Sequence, residues 1–229
     1  MTEISINGRF EINLPEERSA FFKLNRHWEY ERLNSMYVAI RKGDTILDIG
    51  TEHGDMSALF AKWSGGQTYL IEPGKRYWYW IKETWKMNDL KDPISIPALA
   101  SDVTRNNPDK YSGFPRWADE PTPIDSGFVH LNESEELPQI AIDDIEFDKL
   151  NVITMDTEGS ELSILKGAKK TLEKHRPIVF ISVHPEFMRE RYGDTPDDLH
   201  ILMTHHYGYE MLYLGFDHEA HFFYKPKVL

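Results

Sequence analysis

The chain has 229 residues and a formal net charge of −12. That length suits one sizeable core, and that charge disfavours nucleic acid as a partner, because such binding needs Lys and Arg against phosphates. Hydrophobic residues make up 40% of a sequence without cysteine, which fits a globular protein and excludes disulfides, thiolate metal sites and cysteine nucleophiles.

No apolar run is long enough to cross a bilayer, and Met1-Thr2-Glu3-Ile4 does not open a basic-then-apolar export signal. A cytoplasmic protein with no membrane partner is expected. The whole chain reads as a single domain, with residues 1–43 as an N-terminal strand/helix extension. Within it, residues 26–41 predict a helix, because Trp28, Leu33, Met36, Tyr37 and Ile40 fall near one face. A buried-strand run follows at 45–49, broken by Gly50, and then a helix at 55–63. The alternation repeats with a strand at 67–72, a helix at 75–87 and a strand at 93–100. On the helix, the run Tyr77-Trp78-Tyr79-Trp80 cannot face one way, so it reads as core with one exposed ring.

Residues 103–137 are irregular and acidic, with Pro108, Pro115, Pro121 and Pro123, and Pro138 just beyond. An insert of this length in a compact domain is expected to be a lid, with Trp117 as a stacking ring by position. Regular alternation resumes with a strand at 151–157, a helix at 160–174 and a strand at 178–183. Acid at the start of that helix and lysines near its end suit the macrodipole. Strands at 209–215 and 219–225 are too close for a parallel crossover and must pair as an antiparallel hairpin. Alternating strands and helices predict an α/β fold around a mostly parallel sheet.

In such sheets ligands bind beyond the carboxyl ends of the strands. Asp48-Ile49-Gly50-Thr51-Glu52-His53-Gly54-Asp55 lies at that end of the first central strand. Gly50 and Gly54 allow close approach of a ligand, and Glu72 ends the next strand, where an acid can accept ribose hydroxyls. Pyrophosphate needs a glycine-rich turn with few acids. Here Glu52 replaces the middle glycine, and Asp48, Glu52 and Asp55 crowd the turn. That charge favours a ligand bearing a sulfonium and an ammonium group, S-adenosylmethionine. A purely structural reading, with Asp48 and Asp55 as caps and Glu72 as a strand-end acid, stands beside it.

The same residues resemble the FkbM family of methyltransferases. Ile46-Leu47-Asp48-Ile49-Gly50-Thr51-Glu52-His53-Gly54 is similar to its first signature and Tyr69-Leu70-Ile71-Glu72-Pro73 to its second. Asp156-Thr157-Glu158-Gly159-Ser160-Glu161-Leu162, followed by Leu165-Lys166-Gly167-Ala168, is similar to its late motif. Trp28-Glu29-Tyr30-Glu31 resembles the segment before the first strand, and Ala100-Ser101-Asp102 the segment near adenine. The resemblance implies a class I, Rossmann-like methyltransferase fold of seven strands with an antiparallel C-terminal hairpin. It also implies S-adenosylmethionine as cofactor and methylation of an oxygen on a small or glycan-like acceptor. Cofactor-binding residues would then be Glu31, Asp48, Gly50, Glu52, Gly54, Glu72, Ser101, Asp102 and Asp156. The chain departs from the family at Thr154, where a lysine is common, and at Ser182 and His184-Pro185, where a glutamate is common.

Asp156, Glu158 and His184 are the candidate catalytic residues, since a hydroxyl acceptor must lose its proton to a carboxylate or histidine. A first-turn acid stabilised by the helix dipole and a strand-end histidine bonded to backbone are the structural alternatives for the last two. The three would also suit a divalent ion, but the sequence fixes no geometry and no metal is assigned. His205, His206, His218 and His221 read as surface or hairpin residues. Two other functions stay open: a nicotinamide-dependent oxidoreductase, disfavoured by the acidic turn, and a non-catalytic cofactor-binding interaction module.

Overall fold

The computed structural model describes residues 2–123 and 136–228. An antiparallel hairpin, β1 (Thr2–Ile6) and β2 (Phe10–Leu14), leads into helices α1 (Glu16–Leu24) and α2 (Tyr30–Ala39). There follow β3 (Ile46–Ile49), α3 (Asp55–Ser64), β4 (Thr68–Ile71), α4 (Tyr77–Met87), β5 (Ile94–Ile96) and β6 (Leu99–Ser101). The short β7 (Tyr111–Ser112) and β8 (Gln139–Ala141) precede β9 (Val152–Asp156), α5 (Glu161–Lys166), α6 (Lys169–His175) and β10 (Ile178–Val183). The chain ends with α7 (Pro185–Phe187), α8 (Pro196–Ile201) and the hairpin β11 (Tyr209–Phe216) and β12 (Ala220–Pro226).

The central sheet has the order β11-β12-β10-β9-β3-β4-β5-β7. Neighbours from β10 through β5 are parallel, while β12 runs antiparallel between β10 and β11. This is the expected mostly parallel sheet with its C-terminal hairpin, extended at one edge by the two-residue β7. Every residue of β3 is buried, the pattern of a strand covered on both faces. Alternation splits the core into two layers. Leu47, Ile71, Ile153 and Val179 pack with α5 and α6, whereas Ile46, Leu70, Val152 and Phe180 pack with α3, α4 and the N-terminal hairpin.

Three expectations are revised by local chemistry. Residues 93–100 form two strands, because Pro97 has no N–H to give and the Ala98 N–H turns back to Ile96 O at 2.9 Å. β6 then pairs with β8 in a separate ribbon. The helix at 160–174 divides at Gly167, where a Cβ would press against the backbone of Ser101 and Asp102. The N-terminal helix starts later than expected, at Tyr30, after Glu29 in a left-handed conformation.

Of the expected lid, residues 124–135 lie outside the described residues. Its described N-terminal part packs on the sheet edge, where Trp117 sits under the Lys75 ammonium at 5.3 Å. Trp78 and Trp85 are fully buried, as the aromatic run requires. No described helix is long and apolar enough to cross a membrane.

Candidate active site

A cleft of about 810 Å³ opens at the carboxyl ends of β3, β4, β9 and β10, roofed by α1, the start of α2 and the β11–β12 turn. Its floor is the turn after β3. Gly50 has φ +78°, and a Cβ there would collide with the carbonyl oxygen of Asp156 on the adjacent strand. Glycine is the residue that lets β3 turn this close to β9.

Glu72, 5% exposed, accepts from the backbone N–H groups of Glu52 at 2.9 Å and Gly74 at 2.6 Å, so one carboxylate pins both cleft loops. Burial pushes its pKa up to about 7. Burial also raises Asp48 to about 6, opposed by the Ser57 hydroxyl, which donates to its carboxylate. Burial alone would raise Glu52 as well, but His53, Arg18 and Arg76 hold it below its usual value. Asp55 does not add free negative charge to the turn, because Arg18 from α1 meets its Oδ2 at 2.6 Å. The acidic turn read from the sequence is therefore partly neutralised by cations from outside it.

At the other end of the cleft, four carboxylates surround the imidazole of His184. Its Nε2 lies 2.6 Å from Glu219, 3.5 Å from Asp156 and 3.8 Å from Glu158, and its Nδ1 lies 3.3 Å from Glu161. Burial opposes the imidazolium, but these acids raise its pKa to about 11. Asp156 is pushed well up, first by burial and then by Glu219. Burial also raises Glu158. Burial would raise Glu219 too, but His184 and His218 hold it well below the usual carboxylate range.

Arg32 completes the cluster. It pairs with Glu29, donates to Thr154 Oγ1 at 2.9 Å and stands 3.9 Å from Asp156. Burial works against its charge, yet Glu29, Asp156 and Glu219 raise its pKa. Two departures noted in the sequence are thus filled from elsewhere in the chain. Arg32 brings a cation to Thr154, where a lysine would otherwise stand, and Glu219 brings a carboxylate to the end of β10.

Asp48, Gly50, Glu52, Gly54, Glu72, Asp156, Glu158 and His184 all line the cleft. Glu31 does not; it is exposed on α2, while its neighbour Glu29 faces inward. Ser101 and Asp102 lie just beyond the cleft, with Ser101 Oγ donating to Asp102 Oδ1 at 3.1 Å, and Leu99 and Ala100 form the wall instead. The sequence reading missed Arg18, Glu29, Arg32, His218 and Glu219. A signal for the last two existed, since a strand antiparallel to β10 must begin beside that strand's carboxyl end. His221, by contrast, is buried and bonded to Ser182 and Asp217 at 3.0 and 3.1 Å.

Backbone strain converges here as well. Glu29, Glu52 and Glu158 have φ values of 44°, 49° and 54°, and all three line the cleft. Glutamate rarely adopts this conformation, and such outliers gather at functional sites.

Comparison with solved structures gives the same fold. A methyltransferase FkbM from Methylobacillus flagellatus KT is 17% identical with a TM-score of 0.54; the match covers 92% of this chain, which spans 56% of that one. A ribosomal protein L11 methylase from Lactobacillus delbrueckii subsp. bulgaricus is 12% identical at TM-score 0.53, covering 89% and 80% of the two chains. An O-methyltransferase from Bacillus cereus in complex with SAH is 13% identical at TM-score 0.50, covering 87% and 80%. No curated protein sequence matches this chain. The family model described as Methyltransferase FkbM domain matches residues 48–211, most of the chain and nearly all of the cleft's sheet edge. The chain belongs to the FkbM methyltransferase domain family, whose cofactor is S-adenosylmethionine.

Proposed function

We propose that this chain transfers a methyl group from S-adenosylmethionine to a hydroxyl of a sugar or another small acceptor. The observation that carries the reading is the cluster of Asp156, Glu158, Glu219 and His184 at the end of the cleft opposite Glu72. When bound, the cofactor supplies a sulfonium methyl group: the acceptor oxygen bonds to the methyl carbon as the carbon–sulfur bond breaks, and the bonding pair stays on sulfur.

The residues present fit that cofactor. Each Glu72 oxygen accepts one backbone N–H and keeps a further lone pair for a ribose hydroxyl. Gly50 lets the turn after β3 pass close to β9 at the cleft floor, and Leu99, Ala100, Ile71 and Pro73 offer an apolar wall beside Glu72. Glu52 and Asp48 give negative charge to the middle of the cleft, which favours the cationic half of the ligand.

Asp156 and Glu158 draw the proton from the acceptor hydroxyl. Their raised pKa values make them stronger bases than ordinary carboxylates. His184, which its surrounding acids keep protonated while no other cation is bound, is not the first proton acceptor. Trp28, stacked on His218 at 4.3 Å and packed against Phe21 at 4.8 Å, gives the cleft an aromatic wall beside the acids. The L11 methylase among the structural neighbours shows that this fold also serves macromolecular acceptors; the −12 charge disfavours a nucleic-acid acceptor here. Methyl transfer from labelled S-adenosylmethionine to a panel of sugar hydroxyls, with a protein acceptor as comparison, tests the reading. Labelling of protein alone would overturn it.

A further inference from the structure

Resting on the hydroxyl-methylation reading and deepening it, we propose that Asp156, Glu158 and Nε2 of His184 bind a divalent metal ion that in turn holds the acceptor oxygen. Ligand atoms of these three residues lie within 4.8 Å of one another. Asp156 and Glu158 stand 3.5 and 3.8 Å from Nε2, too far for good hydrogen bonds. Ligands about 2.1 Å from a shared ion are separated by about 3.0 Å at a right angle and about 3.4 Å at a tetrahedral angle. The 3.5 Å gap matches the tetrahedral value, and the 3.8 Å gap would have to close by a few tenths of an ångström.

The ring is set up from behind. Nδ1 of His184 faces Glu161 Oε1 at 3.3 Å, and Glu161 is completely buried. The same oxygen accepts from Gly159 N at 3.1 Å and Thr157 Oγ1 at 3.3 Å, so the carboxylate is fixed. A carboxylate behind an imidazole is the arrangement that orients a metal-binding histidine. Glu158 adopts its left-handed backbone at this point, which turns its side chain into the cleft.

A further carboxylate aims into the same space. Glu219, with a side chain 3% exposed, brings Oε2 into an ion pair with Nε2 at 2.6 Å, and its Oε1 meets Nε2 of His218 at 2.5 Å. Arg32 is committed by contact to Glu29 and Thr154 and acts on Glu219 only through space. A dication takes the place of the Nε2 proton, with Asp156, Glu158 and Glu219 as its counter-charges, and Glu219 becomes a fourth ligand by drawing back a few tenths of an ångström. Oxygen ligands with one imidazole suit an ion such as Mn²⁺.

The test is titration of the EDTA-stripped full chain with Mn²⁺, reading the free-ion electron paramagnetic resonance signal, with S-adenosylhomocysteine binding measured by calorimetry in parallel. One Mn²⁺ per chain is expected, with affinity lowered at least about tenfold in both His184→Ala and Glu158→Gln, while both variants keep wild-type S-adenosylhomocysteine binding. No Mn²⁺ uptake by the wild type at millimolar concentration, or equal uptake by wild type and Glu158→Gln, overturns the metal site. If S-adenosylhomocysteine fails to bind the wild type, the methyltransferase reading has failed instead, so the two failures are distinguishable.

Discussion

Arg32 donates from Nη2 to Thr154 Oγ1 at 2.9 Å, joining α2 to β9 across 122 residues of sequence. The same guanidinium is paired with buried Glu29 and faces Asp156, so one side chain ties the cleft roof to the candidate catalytic strand.

Removing that cation leaves Glu29 buried and unpaired. Arg32→Met is expected to destabilise the fold by about 3–5 kcal/mol, the cost of breaking a buried pair from one side. Thr154→Val removes one hydrogen bond and is expected to cost about 1 kcal/mol. Urea unfolding of both variants checks the difference; equal small losses would show that the Arg32 pair is not structural.

Glu72 makes cofactor affinity pH-dependent. Its pKa is raised from 4.5 to about 7 by burial, so the folded state holds its proton longer than the unfolded state. Between those values stability falls as pH rises, because the buried carboxyl must ionise. Ribose hydroxyls donate to the ionised form, so S-adenosylhomocysteine binding is expected to strengthen as pH rises through about 7. Glu72→Gln should weaken binding and flatten the profile, by calorimetry at several pH values. An unchanged slope in the variant would remove Glu72 from this role.

Glu158→Gln keeps the shape of the side chain and removes its charge. Turnover is expected to fall by about 10²–10⁴-fold, the usual contribution of a positioned acid or base, with S-adenosylhomocysteine affinity retained. Single-turnover kinetics read the chemical step directly. Full turnover in this variant would assign proton removal elsewhere.

Gly50→Ala places a methyl group against the Asp156 carbonyl. The β3 turn must move away from β9, and the expected result is a lower melting temperature together with weakened cofactor binding. Thermal unfolding with and without S-adenosylhomocysteine checks both; a variant that melts and binds like wild type would contradict the close approach.

Much of the sheet was legible because its central strands are uninterrupted apolar runs. The strand at 178–183 matches β10 residue for residue, since all but its first residue are buried and Pro177 marks its start. Elements broken by one residue's chemistry were harder, as Pro97 and Gly167 show. In the cleft, residues at strand ends could be ordered from topology alone, which is why Asp156, Glu158 and His184 meet. Glu29, Arg32 and Glu219 arrive through tertiary contacts between α2, the terminal hairpin and β10, and no local pattern announces them. Charge was misjudged for the same reason: Asp55 reads as a bare acid until Arg18 is brought to it by the packing of α1.

The most direct test is mass spectrometry of the products formed from S-adenosylmethionine and a panel of hydroxylated small acceptors, by wild type and by Glu158→Gln in parallel. The expected result is a single added methyl on an acceptor oxygen with wild type, and almost none with the variant. Methyl addition only to nitrogen or carbon, or equal product from both proteins, would contradict hydroxyl methylation at the Asp156–Glu158–His184 end of the cleft.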